Sequence, residues 1–547
     1  MAEYDYIVVG SGAAGSVVAS RLGEDGTNRV CVLEAGPRDT NPMIHLPAGY
    51  VKVLFDPRVT WQLQSDACEG TGGRSLTIAQ GRVLGGSTSM NGMVFVRGQR
   101  HDYDDWAALG NAGWSYAEVL PYFKRLERRI DSKDYAGEDF YRGRTGGMPA
   151  SVPDFPSTLC DAFIASAAAC GAPVNPDYNG ATQAGSGRLQ SNIHRGKRIS
   201  AARAFLLPAA RRGNIDIRTG AVASRILFEG RRATGVEYLD GDGRTQTVTA
   251  RRGVVLSAGA VQSPKLLQLS GVGPAALLQE HGIPVLHDLP GVGANLRDHY
   301  RQVYVLRAKG AQSINDRVRG LGFGLEFLRW ALGRPSAFAV AAVLCHAYAK
   351  SNPALPRPDI QMLFMPASFK AGFFGRLDDV PGMTCAVQQQ RPESHGYVRI
   401  ASRDARVLPR FNPNYLSDER DRRALLAAFR LGRKVFASDP IAQYVDAELL
   451  PGRDVQTDDE LIAYSKQYAA SSYHLIGSCR MGRSDDPGAV VSPELRVHGL
   501  EGLHVADASV MPVMPSANTM VPTLMVGEKA ADMILGRTPL PVAVLRD

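Results

Sequence analysis

Tyr4-Asp5-Tyr6-Ile7-Val8-Val9-Gly10-Ser11-Gly12-Ala13-Ala14-Gly15 is the stretch whose reading decides the fold. Residues 4–9 form a short apolar, β-branched run, the pattern of a strand buried in a parallel sheet. Ser16-Val17-Val18-Ala19-Ser20-Arg21-Leu22 has helical spacing, Arg29-Val30-Cys31-Val32-Leu33 reads as a second strand, and Glu34 ends it. This is the βαβ unit that binds dinucleotides. Gly10 makes the tight turn, Gly12 lets a pyrophosphate approach the backbone, and Gly15 lets helix and strand pack closely. Ala13 and Ala14 begin the helix, whose free amides and positive dipole end suit phosphates. Glu34, followed by Ala35, stands where a carboxylate accepts hydrogen bonds from a ribose. The fingerprint alone leaves FAD and NAD both open.

The rest of the chain limits the classes. Its 547 residues exceed one ordinary core and predict two interleaved domains. Hydrophobic content of 44% with 21% charged residues is that of a globular protein. The net charge of +8 is spread without a long basic stripe, and no nucleic-acid motif occurs, so nucleic acid is not an expected partner. Seven scattered cysteines with no CxxC argue against a disulfide framework or a metal site and for a reducing compartment. No signal peptide is read before the first strand, and no apolar run reaches the roughly 18 residues of a membrane span. The expectation is a cytoplasmic protein, with peripheral contact at the inner face of a membrane left open and the oligomeric state undetermined.

Two further stretches are too ordered in composition for linkers. Residues 81–94, Gly-Arg-Val-Leu-Gly-Gly-Ser-Thr-Ser-Met-Asn-Gly-Met-Val, bring small residues that let backbone approach a flat or phosphorylated ligand. Residues 257–273 follow a strand; Ser263 and Pro264 read as the N-cap and first residue of a short helix that Gly271 closes.

With these motifs in order, followed by Pro290-Gly291-Val292-Gly293-Ala294-Asn295-Leu296-Arg297-Asp298-His299 and the C-terminal segments around His474 and Asn518, the chain resembles the glucose–methanol–choline (GMC) oxidoreductase family over nearly its full length. Within the family it is similar to the bacterial choline-dehydrogenase-like and medium-chain alcohol dehydrogenases. The resemblance implies an α/β fold: a Rossmann-like FAD-binding domain (1–155, 214–305 and 470–547) interleaved with an α+β substrate domain (156–213 and 306–469) whose antiparallel sheet is covered by helices. It implies FAD along Arg82, Val83, Gly85, Gly86, Ser87, Asn91, Gly92, Met93 and Val94, with the adenine by Ala223. Ala258, Gly259, Asp507, Ala508, Thr519 and Pro522 complete the cofactor set. Some members attach the flavin through a His just before the Asn of the second motif. Here that position is Met90, which lacks a suitable nucleophile, so non-covalent FAD is expected.

Alcohol oxidation by a flavin needs a base for the hydroxyl proton, a group that aims the carbinol hydride at N5, and stabilisation of the reduced flavin's charge. A histidine is competent as base at neutral pH, and an asparagine amide can donate to the alkoxide oxygen. His474 and Asn518 match the family's active-site pair, and Asn518 also reads as a helix cap because an apolar run follows it. His299, His395 and Cys479 read as structural. Met93, Phe364 and Tyr473 are read as lining an apolar pocket for an alcohol with an apolar tail or ring, with core packing an equal reading for Phe364. The expected acceptor is a quinone or dye-like compound. An oxidase that makes hydrogen peroxide, a hydroxynitrile-lyase-like enzyme with structural FAD, and a flavoprotein that only binds are the alternatives.

Elsewhere, strands are predicted at 215–218, 224–228, 233–238, 359–365, 383–390 and 396–400, and helices at 159–169, 200–211 and 417–437.

Overall fold

A computed structural model describes residues 2–132, 137–370 and 375–545. Two sheets organise them. In the first, Ala2–Val9 lies at the centre, parallel to Val30–Glu34 on one side and to Thr245–Leu256 on the other. Ile215–Thr219 extends the parallel part beyond Val30–Glu34, and Leu503–Val505 pairs parallel with the end of Thr245–Leu256. Arg232–Leu239 and Val222–Glu229 add an antiparallel flank. Every residue of Val30–Glu34 is buried, as its unbroken apolar run requires.

The helix Ala13–Leu22 packs against the C-terminal helix Met520–Leu535. Glycine permits the crossing: a Cβ on Gly527 would lie 2.9 Å from the Ala14 Cα. Gly15 has the role expected of it, since a Cβ there would lie 2.0 Å from the Gly10 carbonyl oxygen.

The second sheet is antiparallel, in the order Val445–Leu450, Tyr300–Ala308, Gly382–Gln389, Ile360–Met365, Cys345–Ala349, Gly185–Arg188. The helices Thr158–Ala169 and Glu419–Phe436 pack on it. Phe163 from one of them stacks on Phe364 at 4.5 Å between ring centroids. The α/β first unit and α+β second unit are the expected fold class. Tyr300–Ala308 belongs wholly to the second sheet, and Ala470–Ser471 pairs with its first residues, so that sheet takes strand residues from both 214–305 and 470–547.

Two local expectations are corrected. Tyr397–Arg399 pairs with Arg410–Asn412 in a separate ribbon instead of joining the second sheet. Ser263 and Pro264 do not open a helix; they lie inside Gly259–Leu269. That helix is held at its start by Asp507, which accepts from the Gly259 amide (2.9 Å) and from Ser263 Oγ (2.6 Å). A cap supplied from so far along the chain has no local sequence signature. Among the described residues, no helix is long and apolar enough to cross a membrane.

Candidate active site

A single cavity runs between the two sheets. Its first-sheet end is lined by Gly10, Gly12, Ala13, Ala14, Glu34, Ala35 and Ala223. Gly86, Ser87, Asn91, Gly92, Met93 and Val94 form one wall, and Ala258, Gly259, Asp507 and Ala508 line it too. Tyr473, His474, Asn518 and Thr519 line the second-sheet end. The spacing that brings these together is tertiary: a Cβ on Gly86 would lie 2.7 Å from the Gly12 Cα, so the second glycine motif lies directly on the first.

Five expected cofactor residues lie behind this wall. Gly15 lets its helix pack on Gly10, Gly85 serves a turn, Val83 is buried in a local core, Arg82 stacks its guanidinium 4.7 Å from the Trp61 ring, and Pro522 is buried in the first turn of Met520–Leu535. Phe364 is a correction. It is fully buried in the helix-covered core, because strand neighbours point to opposite faces, and Leu363 takes the cavity side instead.

The first-sheet end fits a dinucleotide. A Cβ on Gly12 or Gly259 would meet nothing within 4 Å, so both glycines keep open the space in front of their backbone. The helices beginning at Ala13 and Met520 have no side-chain cap, and their first residues line the cavity. Glu34 accepts from the Ser11 amide (3.1 Å), Ser11 Oγ (2.5 Å) and the Gly36 amide (2.8 Å), which fixes both the turn and its own carboxylate at the cavity edge. Burial pushes that carboxyl above its ordinary range.

Met93 (φ 62°) and Tyr473 (φ 63°), both on the cavity wall, hold the left-handed backbone that side chains with a Cβ avoid. Each is braced: the Met93 amide donates to Asn91 Oδ1 (3.1 Å), and the Tyr473 amide to Ser471 Oγ (2.8 Å). Such residues concentrate at functional sites, where surrounding contacts over-determine the backbone.

At the second-sheet end, hydrogen-bond partners fix the protons on His474. His299 Nε2 lies 2.7 Å from the Gln390 carbonyl oxygen, so it carries hydrogen and donates. His299 Nδ1 is then an acceptor, and His474 Nδ1, 2.9 Å away, must be the donor. His474 Nε2 is left with a lone pair. Asn518 Nδ2 donates to it at 3.1 Å. The Asn518 amide is oriented in turn: its Oδ1 accepts from Gln361 Nε2 (3.3 Å), Gln361 Oε1 accepts from Gln388 Nε2 (2.8 Å), and Gln388 Oε1 accepts from Ser472 Oγ (2.5 Å). The expected helix-cap role of Asn518 is not what its side chain does; Thr519 occupies the N-cap position.

The same burial keeps these rings neutral. Desolvation, aided by the neighbouring His299 and the Arg301 charge, holds His474 well below the ordinary histidine range. Desolvation brings His299 down to about 4. Asp298, pushed up to about 6 by burial, accepts from the His474 amide at 2.8 Å and pins its backbone. Cys479 is buried and its thiol is pushed well above the usual range, in keeping with a structural role. His299, Gln361 and Gln388 were missed as site residues. The Asp298-His299 dipeptide was in view, but nothing local shows a contact spanning 175 residues.

Family models described as GMC oxidoreductase match residues 4–301 and 392–527. The chain belongs to the GMC oxidoreductase family. It is a flavoprotein oxidoreductase of that family. It is 40% identical over 540 residues to the oxygen-dependent choline dehydrogenase of Brucella ovis, covering 98% of this chain and 96% of the relative. Among solved structures it resembles the pyridoxine 4-oxidase from Mesorbium loti (TM-score 0.87, 30% identity, 98% of this chain and 99% of the other). It also resembles an FAD-dependent oxidoreductase from Chaetomium thermophilum (TM-score 0.87, 27% identity, 97% and 99%).

Proposed function

We propose that this chain oxidises a primary alcohol to the aldehyde with non-covalent FAD, and passes the electrons to a quinone or another acceptor other than oxygen. The observation that carries the reading is the unprotonated His474 Nε2 at the cavity wall, 3.1 Å from an amide donor on Asn518. When bound, FAD supplies the hydride acceptor, N5. Gly12, Ala13 and Gly259 leave backbone room for its phosphates, Glu34 stands for the ribose, and Asp507 lines the same wall.

Once the hydroxyl displaces the Asn518 N–H from it, His474 Nε2 takes the hydroxyl proton, while its Nδ1–H stays donated to His299. Asn518 Nδ2–H holds the oxygen and so directs the carbinol carbon, work that is orientation more than acid–base chemistry. The uncapped start of Met520–Leu535 favours negative charge in the cavity beside it. Met90, a buried thioether, supports non-covalent attachment. Acid denaturation should release the flavin into the supernatant, and flavin retained in the precipitate would contradict this.

A second reading, an oxidase that makes hydrogen peroxide, is favoured by the words "oxygen-dependent" and "oxidase" in the names of two relatives. Peroxide formation under air, set against reduction of a dye, separates the two. The primary reading is tested by anaerobic bleaching of the flavin across aliphatic, benzylic, choline-like and sugar alcohols. Bleaching by at least one is expected. Bleaching by none, with cyanohydrin cleavage intact, would replace oxidation by a lyase reaction.

A further inference from the structure

Arg301 lies on the strand Tyr300–Ala308 and lines the second-sheet end of the cavity with Tyr50, Leu54, Tyr473 and His474. Its guanidinium carbon sits 5.6 Å from the centre of the Tyr473 ring. Its Nε is buried without a hydrogen-bond partner. Among the described residues no carboxylate pairs with it, whereas the buried Arg97 and Arg142 both pair with Glu127. An arginine held at a cavity wall, with no carboxylate among the described residues to neutralise it, is a cation arranged for something else. Its planar fork matches an oxyanion with two parallel hydrogen bonds, and the aromatic face beneath it holds the fork in place.

We propose that Arg301 binds an oxyanion on the substrate, so that the alcohol oxidised here carries a carboxylate or phosphate group away from its hydroxyl. This rests on the alcohol-oxidising reading. The hydroxyl meets His474 and Asn518, the anion meets Arg301, and the body of the molecule lies against Tyr473 and Leu54. A positively charged head is disfavoured there, because the guanidinium charge reaches as far as the His474 imidazole. Choline is such a cation, so this pocket differs in charge preference from what the name of the Brucella relative states.

The test uses the FAD-loaded protein and four benzylic alcohols of similar shape. They are para-(hydroxymethyl)benzoate, its amide, para-(hydroxymethyl)phenyl phosphate, and the trimethylammonium analogue. In wild type, the rate constant for flavin reduction at low substrate should be at least about tenfold higher for an anion than for the amide, and lowest for the cation. Arg301→Gln should collapse the anion-to-amide ratio towards one, and Arg301→Lys should restore part of it. Whichever anion gains more identifies the group. A second arm needs no turnover: para-toluate, which has no hydroxyl, should perturb the flavin spectrum of wild type and not of Arg301→Gln. Equal rates for anion and amide in wild type, a preference for the cation, or para-toluate binding unchanged in Arg301→Gln would overturn the proposal. Loss of flavin from Arg301→Gln would also overturn it, by assigning the residue to the cofactor. Failure of every alcohol with para-toluate binding intact would instead sink the alcohol reading.

Discussion

At the first-sheet end of the cavity, Gly10, Gly12 and Ala13 come from one turn between one strand and one helix. At the other end, His299, Arg301, His474 and Asn518 are brought together from widely separated parts of the chain. The first end works through backbone: open glycines and uncapped amides. The second works through side chains whose protonation and orientation are set by neighbours one to four hydrogen bonds away. A substitution at the first end should therefore remove the cofactor and spare the chemistry's side chains. One at the second should keep the cofactor and stop or slow the chemistry.

Gly12→Val gives the largest effect at the first end. A side chain there meets no protein atom, so the fold should persist while the cofactor's space is filled. Flavin affinity should fall by at least ~10²-fold, equivalent to about 3 kcal/mol. Flavin content measured on folded protein checks this, and a normally yellow variant would break the division between the two ends.

Asn518→Ala should keep its flavin and lose ~10²-fold in flavin reduction, the usual consequence of removing one positioned donor to a developing oxyanion. A change in the half-saturating alcohol concentration alone would move Asn518 from orientation to simple binding.

His299→Phe sharpens the comparison further, because it acts only through His474. Losing the acceptor for Nδ1–H lets the unproductive His474 tautomer form, and a drop of about tenfold in flavin reduction is expected. The pH profile distinguishes this from general damage. His474 is held low in the wild type, so the base stays unprotonated as pH falls past the ordinary histidine value of about 6.5, and the acid limb lies below it. His299 is itself neutral there, and its Nδ1 accepts more strongly from a charged His474 ring, so its removal should move the limb to lower pH.

The first end was legible in a contiguous motif. Strand, glycine turn, helix and terminal Glu34 each follow from local pattern, and the structure reproduces them at residues 2–34. The antiparallel sheet was read less completely. Gly185–Arg188, Cys345–Ala349 and Val445–Leu450 are short strands whose pairing depends on distant partners. Phe364 falls on its predicted strand, but its face is not legible, because two apolar neighbours leave the inward side undetermined until the covering helices are known. Arg301 carries no local signal, and His299 closes the Pro290–His299 motif without showing its distant partner.

The smallest predicted effect is on stability. His346 is buried between Tyr178 and Tyr348, neither ring nitrogen has a hydrogen-bond partner among the described residues, and burial brings its pKa down to about 3. A folded pKa below the unfolded one means that this contribution is full above about pH 6.5 and is lost as pH falls towards the folded value. His346→Phe removes the loss, so relative to wild type it should gain about 2 kcal/mol between pH 7 and pH 5. Thermal midpoints of the flavin-loaded proteins at the two pH values check it, and parallel shifts would contradict it.

The measurement that bears most directly on the central claim is anaerobic flavin reduction by an alcohol in rapid mixing, comparing flavin-loaded wild type with His474→Ala. With equal flavin content, the variant should reduce its flavin ~10²–10⁴-fold more slowly. Reduction at the wild-type rate would show that His474 is not the base.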